Sequence, residues 1–129
     1  MQTLDELTTP RIIEPRRLLE KDMQKACVEW ARDRGYWARK FSSPANRSVP
    51  DYLFAREVRI DHGTQGKHGC SYERIKFACE FKALGKLSTD AQLEEQQLMR
   101  EAGWDVFTAD RVEMFKTYVL ELEKQHGVS

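Results

Sequence analysis

Apolar residues recur at helical spacing near the start of the chain, and this pattern predicts a first helix over about residues 15–34. Its apolar stripe consists of Leu19, Met23, Cys27 and Trp30. Pro15 suits the first turn of this helix and Gly35 suits its end, because proline needs no amide partner there and glycine tolerates the backbone beyond a helix. Residues 1–13 lack such a pattern and are predicted to form a flexible arm, which leaves residues 14–129 as a single domain.

Three later segments are rich in aromatic and β-branched residues and predict strands: residues 36–41, 52–55 and 75–79. Residues 61–69 contain glycines and polar side chains and predict the loop between the last two strands. Antiparallel pairing about the centre of that loop places Asp51 opposite Phe81 or Lys82. The predicted hairpin therefore brings residues that are far apart in sequence to one end of the sheet.

Two further helices and one strand complete the predicted order. Residues 89–102 predict a helix that Gly103 ends, and residues 104–108 predict a strand. A last helix is predicted to begin after Asp110, a favourable N-cap. Its apolar stripe consists of Val112, Phe115, Val119 and Leu122. The order α-β-β-β-α-β-α predicts an α/β fold with a mixed central sheet flanked by helices.

The charge balance gives no general argument for a nucleic-acid partner, because Lys plus Arg and Asp plus Glu number 21 each. The distribution of charge is more informative. Residues 34–50 contain four basic residues and no acid. Lys40 and Arg47 from this stretch are predicted to bind phosphate, with a solvated surface loop as the alternative interpretation.

The cysteines and the hydropathy pattern bear on the location of the protein. Three cysteines at irregular spacing predict free thiols in a reducing, intracellular (cytoplasmic) setting. No apolar run approaches the roughly eighteen residues of a membrane span. The first residues also lack the basic and apolar segments of a signal peptide. The sequence therefore predicts no membrane partner.

Two short segments, Pro50-Asp51 and Glu80-Phe81-Lys82, carry side chains suited to phosphodiester chemistry. Residues two apart in a strand share a face, so Glu80 and Lys82 point the same way while Phe81 points into the core. Two carboxylates can hold a hard divalent cation, and an ammonium beside them can orient an attacking water. The predicted metal ligands are Asp51, Glu80 and the backbone carbonyl of Phe81.

The motifs and their order resemble the VRR-NUC family of the PD-(D/E)XK nuclease superfamily, in its stand-alone, virus-type form, over about residues 20–113. The four matching elements are Glu20 in the first helix, Pro50-Asp51, Glu80-Phe81-Lys82, and Leu87-Ser88 followed by Gln92. One departure is Val106-Phe107-Thr108, which stands where the family has its Val-Arg-Arg type tripeptide. The resemblance implies a restriction-endonuclease-like fold, and Mg²⁺ as cofactor with Mn²⁺ as a substitute.

The resemblance also implies an activity. A member of this family is expected to be a metal-dependent DNA endonuclease that leaves a 5′-phosphate and a 3′-hydroxyl, with Glu20 contacting the metal's water or a second metal. Recognition of DNA shape is expected, as for branched or Holliday-type junctions in replication, repair or recombination. A homodimer and a phage or mobile-element origin are further expectations from the resemblance alone.

Two glutamines near the predicted site have more than one interpretation. Gln92 could hold a phosphate oxygen or the attacking water near Lys82. Thr89 and Gln92 also have the spacing of a capping box, and the two roles are compatible. Gln96 lies one turn further along and is a weaker candidate for substrate binding.

Other functions stay open on the sequence alone. One is a nuclease-fold module that binds DNA without cutting it. Another is an RNA- or tRNA-cleaving nuclease, for which His62 and His68 are candidates. A zinc site is a less favoured alternative, with the candidate ligands His62, His68, Cys70 and Cys79. The three tryptophans are predicted to pack in the core and against helices rather than to stack on bases.

Overall fold

A computed structural model describes residues 15–42, 45–62 and 69–128, with the backbone alone for residues 15–19. It is a mixed α/β fold with three helices and a four-stranded sheet. In chain order the elements are α1 (Pro15–Asp33), β1 (Trp37–Lys40), β2 (Tyr52–Asp61), β3 (Cys70–Phe81), α2 (Asp90–Glu101), β4 (Asp105–Ala109) and α3 (Val112–Gln125). The predicted α-β-β-β-α-β-α order is confirmed, while the predicted arm lies outside the described residues. Among the helices described, none has the length and apolar character needed to cross a membrane.

The strands lie side by side in the order β1-β2-β3-β4. The first three are antiparallel neighbours, and β4 joins β3 in parallel. Parallel neighbours need a crossover connection, and α2 supplies it between β3 and β4. The sheet is therefore mixed, as the sequence predicts, and both β1 and β4 are edge strands.

The central hairpin is longer than predicted and has a different register. β2 extends to Asp61 and β3 begins at Cys70, so part of the predicted loop is strand, and residues 63–68 lie outside the described residues. Tyr52 pairs with Cys79, and continuing that register brings Asp51 level with Glu80. The predicted position opposite Phe81 or Lys82 is therefore wrong by one or two residues.

Aromatic packing explains this register. Phe54 and Phe77 are cross-strand partners on the core face of the hairpin, and their rings stack with centroids 4.7 Å apart. Phe115 of α3 packs on both rings, and Phe107 stacks on Phe77 at 5.0 Å. A shift by one residue would turn these side chains to the opposite face, so core packing fixes the pairing more firmly than loop symmetry does.

Helices cover the two faces of the sheet unequally. α1 and α3 pack on the core face, where Cys27 of α1 and Phe115 and Val119 of α3 are fully buried. α2 lies on the other face beside β4, because Gln96 Nε2 donates to Thr108 Oγ1 at 3.3 Å. Much of that second face over β1 and β2 is left exposed to solvent.

A buried carboxylate that the sequence does not reveal joins α3, β2 and the connection between α1 and β1. Glu123 on α3 is 2% exposed and accepts hydrogen bonds from Arg34, Tyr36 and Arg56. The Tyr36 Oη–Oε2 distance is 2.9 Å and the Arg56 Nη1–Oε2 distance is 3.1 Å. Burial raises the pKa of Glu123, but the hydrogen bonds from Arg34 and Tyr36 outweigh it and leave the pKa below its ordinary value.

Glu123→Ala is expected to lower the free energy of unfolding by about 3 kcal/mol, because it leaves Arg34 and Arg56 without their buried partner. The low end of the usual range applies, since the Arg34 side chain is 33% exposed and can recruit water. Urea unfolding followed by circular dichroism measures the loss. Glu121→Ala, two residues earlier on α3 and 62% exposed, is the matched control and should change stability by less than about 0.5 kcal/mol. Equal stability of the two variants would contradict the prediction.

Of the two predicted helix N-caps, the structure confirms one. Thr89 caps α2 in a capping box: Gln92 N–H donates to Thr89 Oγ1 at 3.1 Å and Thr89 N–H donates to Gln92 Oε1 at 2.9 Å. The predicted Asp110 cap of α3 is wrong, since Arg111 occupies the N-cap position without a side-chain cap. The Asp110 carboxylate instead accepts from Gly85 N–H at 3.2 Å and from Arg111 Nε at 2.9 Å.

Candidate active site

Asp51 lies at the open end of the hairpin and is held from two sides. Its carboxylate Oδ2 accepts a hydrogen bond from the Phe81 backbone N–H at 3.1 Å. Its backbone carbonyl accepts from the Phe41 N–H at 2.6 Å, which ties it to the end of β1. Pro50 before it is fully buried. The Asp51 carboxylate is therefore oriented toward β3 by backbone contacts rather than by flexible side chains.

Glu80 lies beside Asp51 and is almost completely buried, with 5% of its surface exposed. Its Oε1 atom is buried and has no hydrogen-bond partner among the described residues. Burial, followed by the negative charge of Asp51, raises the pKa of the Glu80 carboxyl to about 8. A hydrogen bond with the Asp51 carboxyl adds to this shift. Two carboxyl groups this close in a buried setting favour sharing a proton or a cation.

Lys82 follows β3 directly and continues its alternation. The Lys82 N–H donates to the Ala109 carbonyl at 3.0 Å, which extends the pairing with β4 by one step. The Phe81 side chain between Glu80 and Lys82 is 2% exposed and belongs to the core, as predicted. The positive charge of Lys82 lowers the pKa of Glu80 and so opposes the effects of burial and Asp51. The ammonium thus acts electrostatically on the carboxylate pair.

Glu20 in the second turn of α1 acts on this site through its charge, and its side chain is partly buried. Its negative charge contributes, as the smallest of the causes, to the raised pKa of Glu80. The structure brings Glu20, Asp51, Glu80 and Lys82 into one electrostatic neighbourhood.

The chemistry of this donor set fits a hard divalent cation. Such cations prefer carboxylate and carbonyl oxygens as ligands. Glu80 Oε1, beside Asp51, is buried without a hydrogen-bond donor from the part of the chain that the structure describes, so a cation would supply the missing partner. No set of three or more His, Cys, Asp or Glu side chains that could hold a metal ion occurs within residues 15–42, 45–62 and 69–128. The predicted set has two carboxylates and the Phe81 carbonyl, so it needs water or substrate oxygens to complete the coordination.

The two candidate glutamines differ in position. Gln92 forms the capping box of α2 and remains partly exposed, so its predicted role at the site stays compatible with capping. Gln96 is 2% exposed, and its amide donates to Thr108. Thr108 pairs with Glu80 across β3 and β4. Gln96 therefore holds α2 against the strand next to Glu80, a position that offers no surface for a substrate in this arrangement.

The two predicted phosphate-binding residues are both exposed but differ in position. Lys40 pairs with Tyr52 and shares the face of Ala38, opposite to the face that carries Glu80. Lys40 ends β1 and is exposed, and Arg47 is exposed in the connection between β1 and β2. Asn46 Nδ2 donates to Glu95 Oε1 of α2 at 3.2 Å, which holds this connection against the helix on the carboxylate face. Arg47 is thereby placed on the same side of the sheet as α2.

The alternative zinc ligands are not brought together in the described residues. His62 Nε2 and Ser71 Oγ lie 2.7 Å apart at the far end of the hairpin. Cys79 is fully buried, and burial raises its pKa well above the ordinary value. Cys70 is a free, partly exposed thiol, and His68 lies outside the described residues.

One tryptophan departs from its predicted place in the core. Trp37 is 50% exposed on β1, and the Arg39 guanidinium lies 5.4 Å from the centroid of its ring. The alternation of β1 explains this, since the neighbouring Tyr36 and Ala38 are buried and leave Trp37 facing out. The sequence Tyr36-Trp37-Ala38 is apolar throughout, so it carries no alternation that would have predicted an exposed Trp37.

Comparison with known proteins does not extend the interpretation. No protein-family model matches the chain, and no curated protein is significantly similar to it. The resemblance to VRR-NUC nucleases therefore remains a prediction from the motifs.

Proposed function

We propose that the protein is a metal-dependent DNA endonuclease with a restriction-endonuclease-like fold, related to the VRR-NUC family. The observation that carries this proposal is the convergence of Asp51 and Glu80, with a buried and unpartnered Glu80 oxygen, beside Lys82. A core residue at position 80 would be apolar if the site had no polar role, because an uncompensated buried carboxylate opposes folding.

Asp51, Glu80 and the Phe81 carbonyl would hold Mg²⁺, or Mn²⁺ as a substitute. When bound, the cation supplies charge neutralisation at the scissile phosphate and lowers the pKa of a bound water. Lys82 orients the attacking water and stabilises negative charge that develops on the phosphate oxygens. Glu20 helps to position water at the cation, and Gln92 orients a phosphate oxygen from the start of α2.

The proposed substrate is DNA recognised by shape, such as a branched or Holliday-type junction. Two exposed cations, Arg47 on the α2 side of the sheet and Lys40 at the end of β1, support contacts to the phosphate backbone, which carries no sequence information directly. The proposed products carry a 5′-phosphate and a 3′-hydroxyl. A homodimer would present two such sites to two strands, and light scattering after size exclusion tests it, since a monomer mass at working concentration would contradict it.

Cleavage of labelled DNA tests the proposal directly. Single-stranded, duplex, flap and four-way-junction substrates are incubated with Mg²⁺, Mn²⁺ or EDTA, and the ends of the products are identified by ligation and phosphatase sensitivity. We expect cutting that requires a metal and is strongest on a branched substrate. Binding without product in any metal would support the accessory-module alternative. Cutting of RNA in EDTA would support the RNA nuclease alternative.

A further inference from the structure

The sheet face that carries Asp51 and Glu80 is open over β1 and β2. We define this open face by its outward-facing side chains: Trp37, Arg39, Leu53, Ala55 and Lys76. The strand register arranges them in rows, with Trp37 level with Ala55 and Lys76, and Arg39 level with Leu53 and Ala78. The next row contains Asp51 and Glu80. Ala78 is fully buried, so the accessible path toward the carboxylates runs over β1 and β2.

Trp37 is the most unusual member of the open face. Half of its surface is exposed, and the Arg39 guanidinium lies over its ring at 5.4 Å. Ala55 beside it is small, so the indole stands above the sheet with space on one side. An exposed indole next to a guanidinium provides a stacking surface and a positive charge, the two elements that bind single-stranded nucleic acid without sequence preference.

The charges of the open face favour a polyanion. Arg39 and Lys76 are exposed on either side of Ala55. The acidic residue one row further from the site, Glu57, accepts from Arg74 Nε at 3.2 Å, so a positive charge lies beside it. Along β2 the distance from the Trp37 row to the Asp51 row is four residues, or roughly 13 Å.

We propose that the open face binds an unpaired DNA strand, with one base stacked on Trp37 and phosphates near Arg39 and Lys76, and leads it to Asp51 and Glu80. The inference rests on the proposed function for the choice of DNA and deepens it by naming the form of the substrate. Bases in a duplex are already stacked on their neighbours, so an intact duplex cannot place a base on Trp37. Among branched substrates, the preferred one therefore carries a single-stranded segment at the point of cleavage, as a flap does, and is not a fully paired four-way junction.

Binding in EDTA tests the inference separately from cleavage. Fluorescence anisotropy is measured with a labelled 12-nucleotide DNA strand and with the blunt duplex of the same sequence. Trp37→Ala is expected to weaken single-strand binding roughly tenfold, and Trp37→Phe to retain most of it. Arg39→Gln and Lys76→Gln should each weaken binding a few-fold and reduce its salt dependence. Lys124→Gln, 74% exposed on α3, is the charge-matched control and should bind as the wild type.

The outcomes separate this inference from the proposed function. Unchanged single-strand binding by folded Trp37→Ala and Arg39→Gln, or tighter binding of the duplex, would overturn the inference even if the wild type cuts DNA. Conversion of a dimer to a monomer by Trp37→Ala, with unchanged binding, would assign the open face to contact between copies and also overturn it. A wild type that binds single strands through Trp37 and cuts no substrate would overturn the nuclease proposal and leave this inference standing.

Discussion

Asp51→Asn is expected to reduce metal-dependent DNA cleavage by a factor on the order of 10² to 10³. Asparagine keeps the shape of the side chain and an oxygen that can accept from Phe81 N–H, so the hairpin end should stay folded. It removes one of the two negative charges that would hold the cation beside Glu80. The measurement is the single-turnover rate on the best substrate at saturating Mg²⁺.

Lys82→Ala is the companion variant and should lose cleavage while retaining DNA binding, because the ammonium acts on the reacting phosphate rather than on the fold. The matched controls are Asp105→Asn, exposed at the opposite end of β4, and Lys86→Ala, exposed after β3. Both should cleave within about twofold of the wild type. If Asp51→Asn cleaves as the controls do, Asp51 is not a metal ligand and the proposed site is wrong.

The helices were predictable because their signals are local. Gly35 and Gly103 end α1 and α2 as predicted, with φ values of 98° and 103° that other residues rarely adopt. The stripe of α3 lies in the core, and the capping box of α2 forms. Asp110 misled the prediction, because a turn aspartate and a helix cap look alike until the partner, here the Gly85 N–H, is known.

The length and pairing of the strands could not be predicted from local signals alone. The length and register of the hairpin depend on Phe54 meeting Phe77 and on Phe115 covering both, which are contacts between distant parts of the chain. Loop symmetry was the available guide, and it gave an error of one or two residues. Asp51 lies level with Glu80, but its side chain is long enough to reach the backbone N–H of the next residue, Phe81.

The part of the site on β3 could be predicted, because side chains alternate between the two faces of a strand. Glu80 and Lys82 share a face because Phe81 is buried between them. The burial of Gln96 and the role of Glu123 could not be foreseen, since both depend on packing between elements. Glu123 resembled any other acid near the end of a charged helix, and only the fold brings Arg34, Tyr36 and Arg56 around it.

Glu80→Gln is expected to stabilise the metal-free protein at alkaline pH. The carboxyl of Glu80 has a pKa of about 8 in the fold, against an ordinary value of 4.5. Below pH 4.5 both the folded and the unfolded chain bind this proton. Between about pH 4.5 and 8 only the folded chain binds it, so stability falls as pH rises through this window. The full loss is on the order of 5 kcal/mol, from 1.36 kcal/mol for each pH unit of the shift.

Glutamine keeps the shape of Glu80 and carries no charge at any pH, so the stability of the variant should not fall between pH 4.5 and 8 as that of the wild type does. Urea unfolding in EDTA at pH 5 and pH 8 measures the decline, with Glu29→Gln, an exposed residue of α1, as control. Mg²⁺ at pH 8 should restore stability to the wild type and not to Glu80→Gln, because a cation replaces the proton between the two carboxylates. Parallel pH profiles for the wild type and the variant would show that Glu80 is ionised without cost, and the electrostatic argument for a cation at this site would then fail.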